Sequence, residues 1–289
     1  MVEDLRSIPL EILFERLEKG NIRVDKGAFL QYAETCDTPE ELADLIVEED
    51  SDALYLILFE IWRRLLPEKQ SLSIFFDELD YRISLFDQGK MESDEWIQDG
   101  LANLMEILDE NADAGVDPQE VFRVICDYCA HDLESFLYDY IADLLDSGNP
   151  FYASELVEGF FPYVNEPIWF EFLKARIVAA TDIGEADRLI AEILEGKADL
   201  PLLIEVLKFL KVNGEPELFI RGVKKVLPLL RTEEELVEVM AAIADYYRRL
   251  DQDALEQAIQ KLMEKRKEPY GKLDPKDPDL KKLHDIVIK

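Results

Sequence analysis

Apolar residues recur three and four positions apart along nearly the whole chain, the spacing that places them on one face of an α-helix. Alternating apolar and polar runs rich in Val, Ile and Thr, which would predict strands, are absent from the sequence. Two helix starts are well marked. Thr38 and Glu41 flank Pro39 as an N-cap and a capping-box glutamate, and Thr232 and Glu235 repeat that pattern. These features predict an all-α protein.

Turn signals divide the helical pattern roughly every 15 to 20 residues. The most apolar stretch, residues 53–66, contains Glu60, Arg63 and Arg64 and ends before Pro67. It is shorter than the roughly 20 residues that a membrane span requires, so we interpret it as a buried helix. The predicted helices cover residues 8–19, 26–35, 39–49, 52–66, 72–88, 94–111, 118–130, 133–147, 151–163, 166–180, 183–195, 200–212, 216–230, 233–250 and 252–267.

The second half of the chain is internally repetitive. When it is shifted against itself by 33 to 35 residues, apolar positions align on four successive helices, and a second set aligns on the helices between them. The repeating unit is therefore a helix pair, which cannot bury both apolar faces without stacking on its neighbours. The first set is Ala153, Ala186, Phe219 and Ala254, then Val157, Ile190, Val223 and Ala258, then Phe161, Leu194, Leu227 and Leu262; the second is Phe136, Trp169, Leu203 and Leu236, then Tyr140, Leu173, Leu207 and Met240.

A two-helix unit with a period near 34 residues resembles the tetratricopeptide-like solenoids. The resemblance covers roughly residues 132–267 and rests on the period and the helix pairing. The tryptophan, Leu-Gly, tyrosine and proline positions of that family's motif are not matched. The resemblance implies a right-handed α-solenoid of antiparallel helix pairs and a role in binding other proteins. A different helical-hairpin family is the alternative.

The predicted organisation has three parts. Residues 1–115 form an irregular N-terminal helical region without a clear period, and residues 116–268 form the two-helix repeat array. Gly115 and Asp117-Pro118 mark the boundary between them. Residues 269–289 are predicted to be a Pro-rich extended tail with a short amphipathic end, which either docks back on the protein or binds another one.

Charge excludes some partners. The chain has 64 acidic and 32 basic residues, a net charge of −32, so nucleic acid and anionic membranes are not predicted partners. Residues 91–170 hold 19 Asp and Glu against one basic residue, Arg123. This concentration predicts a surface that attracts a basic protein or peptide, although solubility alone is the alternative explanation.

Cysteine use and the N-terminus indicate the compartment. The odd count of three cysteines gives no disulfide framework, and the first residues are acidic where a signal peptide would be basic. We therefore expect a cytoplasmic protein.

The stretch ICDYCAHD, residues 125–132, is the strongest candidate for chemistry. On a helix continuing to residue 130, Cys126 and Cys129 share one apolar stripe with Phe122, while His131 faces away from them. The pattern favours core packing and predicts no metal or cofactor; a metal or redox pair is the alternative.

The sequence as a whole favours a non-enzymatic scaffold or chaperone-like adaptor that binds a protein or peptide, with a basic partner expected, in a groove of the solenoid. Two alternatives stay open: a carboxylate-metal helical enzyme using acids such as Asp77, Glu78 and Asp80 or Asp139 and Asp143, and a structural module of a homo-oligomer. No catalytic residue is predicted. The predicted binding residues are Glu155, Glu158, Asp187, Arg221, Lys224 and Lys225.

Overall fold

The computed structural model describes residues 4–47, 51–91, 93–266 and 270–288, and the regular elements within these ranges are helices and one isolated antiparallel bridge, which confirms the all-α prediction. Two short 3-10 helices lie at Leu5–Ser7 and Leu227–Leu229. The α-helices are α1 (Leu10–Lys19), α2 (Lys26–Ala33), α3 (Pro39–Ile46), α4 (Asp52–Leu65), α5 (Leu72–Asp87), α6 (Glu95–Asp113), α7 (Pro118–Cys126), α8 (Leu133–Asp146), α9 (Pro150–Phe160), α10 (Pro167–Ala179), α11 (Ile183–Glu195), α12 (Leu200–Asn213), α13 (Pro216–Val226), α14 (Glu233–Arg249), α15 (Asp253–Met263) and α16 (Pro278–Ile288).

Most helices begin and end within a few residues of the predicted bounds, because the capping chemistry is local. Thr38 Oγ1 accepts a hydrogen bond from the Glu41 amide, and Thr232 and Glu235 form the complete capping box. The predicted helix over residues 216–230 ends at Val226 and continues as the 3-10 helix, since Pro228 has no N–H to donate. Parts of the predicted helices over 39–49 and 252–267 lie outside the described residues.

The chain divides into two units. The first comprises the described residues of Met1–Ala114 together with Arg123–Leu133, and the second those of Gly115–Phe122 together with Glu134–Lys289. The chain therefore passes between the units at three places: between Ala114 and Gly115, between Phe122 and Arg123 within α7, and between Leu133 and Glu134.

An ion pair inside the first unit fixes its N-terminal segment. Glu60 on α4 is only 4% exposed and accepts hydrogen bonds from Arg63 and Arg64. Burial alone would raise the pKa of Glu60, but the two guanidinium groups lower it, so the carboxylate is charged. Arg64 also donates to the carbonyl oxygens of Leu5 and Ile8, which ties the chain's start to α4.

Helices of the second unit pack as consecutive pairs and as alternate neighbours. Helix α10 packs on α9, α11 and α12, α12 packs on α13 and α14, and α14 packs on α15. Helix α11 also contacts α13. Phe219 of α13 stacks on Tyr246 of α14 with ring centroids 3.9 Å apart.

The predicted repeat positions are buried on most helices, including Ala186, Ile190, Phe219 and Val223. Helix α15 matches the alignment only in part. Leu262 is buried as predicted, but Ala254 is exposed and Ala258 is half-buried beside the buried Ile259. Phe161 and Trp169 are half-buried.

The C-terminal segment packs on the second unit. Leu283 and Val287 of α16 are buried, and α16 contacts α13 and α15. Before it, Thr232 and Lys272 form the isolated bridge, and Arg266 pairs with Glu233 and Asp277. The amphipathic end therefore docks within its own chain.

None of the helices in the described ranges is both long enough and apolar enough to cross a membrane. Helix α4, which covers the apolar stretch of residues 53–66, carries the buried Glu60 paired with Arg63 and Arg64.

Docking of α16 predicts a cost for truncating its core residue. Leu283→Ala should lower the free energy of unfolding by about 2–5 kcal/mol, because it removes a fully buried side chain and leaves a cavity. Urea denaturation checks this, with Lys281→Ala on the exposed face of the same helix as the matched control. Equal effects of the two substitutions would contradict the packing of α16.

Candidate functional site

The segment that follows α7 wraps around one carboxylate of α5 in the first unit. Asp80 Oδ2 accepts a hydrogen bond from the Ala130 amide at 2.7 Å, and Oδ1 accepts from the His131 amide at 3.0 Å. The Cys129 thiol lies 3.1 Å and His131 Nδ1 lies 2.6 Å from the same Oδ1. Ser84, one turn after Asp80, lies 3.2 Å through its Oγ from His131 Nε2.

These contacts set the charge states of the cluster. Burial would raise the pKa of Asp80, but hydrogen bonds from Ala130 and His131 lower it below its usual value. Burial, followed by the hydrogen bond to the Asp80 carboxylate, raises the pKa of Cys129 to about 12. At neutral pH Cys129 is therefore a protonated donor, whereas a nucleophile or a metal ligand requires the thiolate.

The prediction for this stretch was partly wrong. Helix α7 ends at Cys126, so Cys129 lies in the following turn and is not part of a helical core stripe. His131, expected to face away from the cysteines, contacts the same carboxylate as Cys129. Both Cys126 and Cys129 are half-buried, and neither is in a disulfide. Sequence periodicity could not find this arrangement, because its organising residue, Asp80, lies about fifty positions earlier in the chain.

Groups of three or more His, Cys, Asp or Glu placed to hold a metal ion are not found among the residues that the structure describes. The α5 acids considered as ligands have other contacts. Asp77 accepts hydrogen bonds from Arg6 through its carboxylate and its carbonyl oxygen, and Glu78 Oε1 lies 3.3 Å from Arg82 Nε. Asp77 therefore holds α5 to the N-terminal segment, whereas the contact between Glu78 and Arg82 lies within α5.

The six predicted binding residues lie on three helices of the second unit. Glu155 and Glu158 are exposed on α9, away from its buried face, and Glu158 accepts a hydrogen bond from Ser154. Asp187 on α11 is half-buried, and Lys224 on α13 is exposed.

The other two predicted residues join α13 to the end of α11. Lys225 Nζ donates to the carbonyl oxygens of Leu194 and Gly196 at 2.6 and 2.7 Å, which satisfies acceptors at the C-terminus of α11. Arg221 forms an ion pair with Glu195 at 3.1 Å. Lys225 and Arg221 therefore help to hold α13 against the end of α11. The exposed members of the predicted set are Glu155, Glu158 and Lys224.

The acids of residues 91–170 lie on the surface. Two helices in this stretch, α6 and α8, end in acids and have no basic residue in the last turn. The helix macrodipoles already place partial negative charge at these ends, so the field of the dipole and the field of the acidic side chains add. Glu134 is half-buried and Glu92 lies outside the described residues; the exposed acids are Asp94, Glu95, Asp99, Glu106, Asp109, Glu110, Asp113, Asp117, Glu120, Asp127, Asp132, Asp139, Asp143, Asp146, Glu155, Glu158 and Glu166.

Comparison of the chain with protein-family models, with curated proteins and with solved structures gave no match. Function must therefore be inferred from the exposed acids and from the geometry within each unit.

The Asp80 cluster predicts a specific pH dependence of stability. Because folding lowers the pKa of Asp80, its stabilising contribution is complete above the unfolded value near 4 and is lost as pH falls through the lower folded value. Asp80→Asn should lower the free energy of unfolding at pH 7 by about 1.5–3 kcal/mol, the range for hydrogen bonds to a charged group. The deficit should shrink as the pH falls below about 4, through the lowered pKa of Asp80 in the folded protein.

Urea denaturation at several pH values measures this difference. Asp99→Asn, at an exposed position on α6, is the matched control and should change stability by less than about 0.5 kcal/mol. A deficit of Asp80→Asn that does not vary with pH would contradict the proposed role of the carboxylate.

The raised pKa of Cys129 predicts low thiol reactivity. Iodoacetamide should label Cys129 more slowly at pH 8 than an exposed cysteine of ordinary pKa near 8.5, because little thiolate is present. Asp80→Asn should accelerate labelling, since it removes the charge that disfavours the thiolate. Peptide mass spectrometry follows the reaction at this residue, and fast labelling of Cys129 in the unmodified protein would disprove the assignment.

Proposed function

We propose that the protein is a non-enzymatic interaction module that binds a basic segment of another protein. The observation that supports this function is the large number of exposed Asp and Glu side chains in residues 91–170. Arg123 is the one Lys or Arg in this stretch. Repulsion among these carboxylates destabilises the folded protein when no partner is bound. A cationic partner would relieve that repulsion and would be drawn to the surface from a distance.

Helix ends strengthen the argument. In α6 the last turn carries Glu110 and Asp113, and in α8 it carries Asp143 and Asp146. A negative side chain at a helix C-terminus destabilises the folded state by about 0.3–1 kcal/mol. Selection for stability alone would therefore not favour acids at these positions. Asp146 forms an ion pair with Arg176 at 2.6 Å, so one guanidinium group can neutralise an acid at such a helix end.

We infer further that the helix pairs of the second unit stack as a right-handed α-solenoid, as the resemblance to tetratricopeptide-like repeats implies. The support is the regular alternation of contacts: α10, α12 and α14 pack along one row, while α11 and α13 pack along the other. In such a stack, Glu155 and Glu158 of α9 and Lys224 of α13 would belong to one row of helices and would contribute to its binding surface.

An enzymatic function has less support, because contacts already occupy the candidate acids of α5. Asp77 is paired with Arg6, Glu78 with Arg82, and Asp80 with the segment 129–131. Each carboxylate has a structural role where it lies. Self-association is the remaining alternative, and light scattering of the purified protein would reveal it.

Charge reversal on α9 tests the proposed binding surface. The double variant Glu155→Lys/Glu158→Lys should slow association with a fluorescent lysine-rich peptide severalfold at low salt, because it weakens the attractive field without touching buried residues. For the unmodified protein, the association rate should fall severalfold from 0.01 to 0.15 M salt, as the Debye length shrinks from about 30 to about 8 Å. Stopped-flow fluorescence measures both effects.

The matched control is Glu11→Lys/Glu15→Lys. These two acids are exposed one turn apart on α1, so the control makes the same change of net charge outside residues 91–170. Equal slowing by the two double variants would show that only total charge matters. A rate independent of salt would refute electrostatic attraction altogether.

A further inference from the structure

A cleft of about 770 Å³ lies inside the first unit, between α5, α6 and the end of α4. We call it the α5–α6 cleft. Near one end, Gly100 lets the two helices approach closely, since a Cβ there would lie 3.2 Å from Leu79 Cδ1. The cleft is lined by Arg63, Leu66, Pro67, Gln70, Ser71, Leu72, Ile74, Phe75, Glu78, Leu79, Arg82, Gly100, Asn103, Glu106, Ile107 and Glu110.

The lining of the α5–α6 cleft includes apolar surface that is still accessible. Leu66, Ile74 and Leu79 are buried beneath it, whereas Phe75 and Ile107 are half-buried. Leu72, at the first position of α5, is 38% exposed. A ligand that covers this surface with apolar groups would gain the hydrophobic contribution that the isolated protein leaves unused.

The two positive side chains of the lining already have partners. Arg63 donates to Glu60 through Nε and Nη2 at 2.9 and 2.7 Å. Arg82 Nε lies 3.3 Å from Glu78, and its Nη1 donates to the Trp96 carbonyl at 2.7 Å. These guanidinium groups are therefore largely neutralised, which disfavours a small anionic ligand.

The opposite side of the cleft is negative. Glu106 and Glu110 are exposed on α6 one turn apart, a spacing at which like charges repel. They also lie in the C-terminal half of a helix without a basic residue in its last turn, where the macrodipole adds negative potential. Apolar surface beside unneutralised acid is complementary to a segment that is both apolar and cationic.

The geometry points to the α5–α6 cleft as the docking site of a basic amphipathic segment of a partner protein. Apolar side chains of that segment lie against Leu72, Phe75 and Ile107, and its Lys or Arg side chains lie beside Glu106 and Glu110. This inference rests on the proposed function and adds to it the place and the chemistry of the bound segment.

Two other occupants of the α5–α6 cleft fit less well: helix α16 of the same chain and a second copy of the protein. Helix α16 balances Lys281 and Lys282 with two aspartates, and its apolar face is already buried in the second unit through Leu283 and Val287. A second copy of the protein carries the same net charge of −32 and would be repelled.

The test uses a fluorescein-labelled amphipathic peptide of leucine and lysine, about five helical turns long, and its leucine–glutamate counterpart. Fluorescence anisotropy gives the dissociation constants for the full-length protein. Glu106→Lys/Glu110→Lys should weaken binding of the lysine peptide about tenfold or more. Lysine near the C-terminus of α6 suits the macrodipole, so lost binding would not come from an unfolded helix.

A second variant separates apolar contact from charge. Leu72→Asp makes the cleft more negative and places an acid at the favourable N-terminal end of α5, yet it removes apolar surface. It should weaken binding of the lysine peptide, whereas attraction by charge alone predicts tighter binding. Glu11→Lys/Glu15→Lys, outside the cleft, should change the dissociation constant less than about twofold.

The outcomes distinguish the cleft from the broader proposal. Binding that is weakened by Glu155→Lys/Glu158→Lys but unaffected by both cleft variants would overturn the cleft and leave the proposed function standing. Absence of binding to the lysine peptide would overturn both. Equal binding of the glutamate peptide would overturn the cationic specificity and favour a purely apolar site.

Discussion

Burial of one apolar face per helix holds this protein together against the mutual repulsion of its acids. With 64 acidic and 32 basic residues, charge opposes compaction at neutral pH. The aligned apolar positions oppose that repulsion, since fully burying a Leu, Ile or Phe side chain contributes about 1.5–3 kcal/mol. Acids are tolerated because the helical period keeps them off the buried face, as Glu155 and Glu158 show beside buried Val157 on α9.

Where charged groups are buried or half-buried, they connect segments that hydrophobic contact alone would leave loosely placed. The Glu60–Arg64 pair connects the N-terminal segment to α4, and Asp80 connects the segment after α7 to α5. Lys225 connects α13 to the end of α11. In each case a charged group satisfies backbone donors or acceptors or a paired ion, which is the condition under which its burial is tolerated. These contacts explain why several chemically suggestive residues have structural roles.

Helix positions were predictable because their signals are local. The capping box at Thr232 and the proline starts at Pro39 and Pro216 set boundaries that no distant contact overrides. The turn at Cys129 was not predictable, because the residue that shapes it, Asp80, is distant in sequence. The exposed acids of the candidate surface were identified from composition, whereas the α5–α6 cleft depends on how Gly100 packs near Leu79 and was invisible in the sequence.

We propose that exposed acids within residues 91–170, foremost those of α6 in the first unit, bind a cationic, amphipathic partner. Amide hydrogen exchange of the full-length protein, with and without the leucine–lysine peptide at physiological ionic strength, tests it directly because it reports where binding protects the backbone. The account predicts slower exchange in α6 (Glu95–Asp113) when the peptide is present. Unchanged exchange throughout residues 91–170, with protection elsewhere or nowhere, would contradict it.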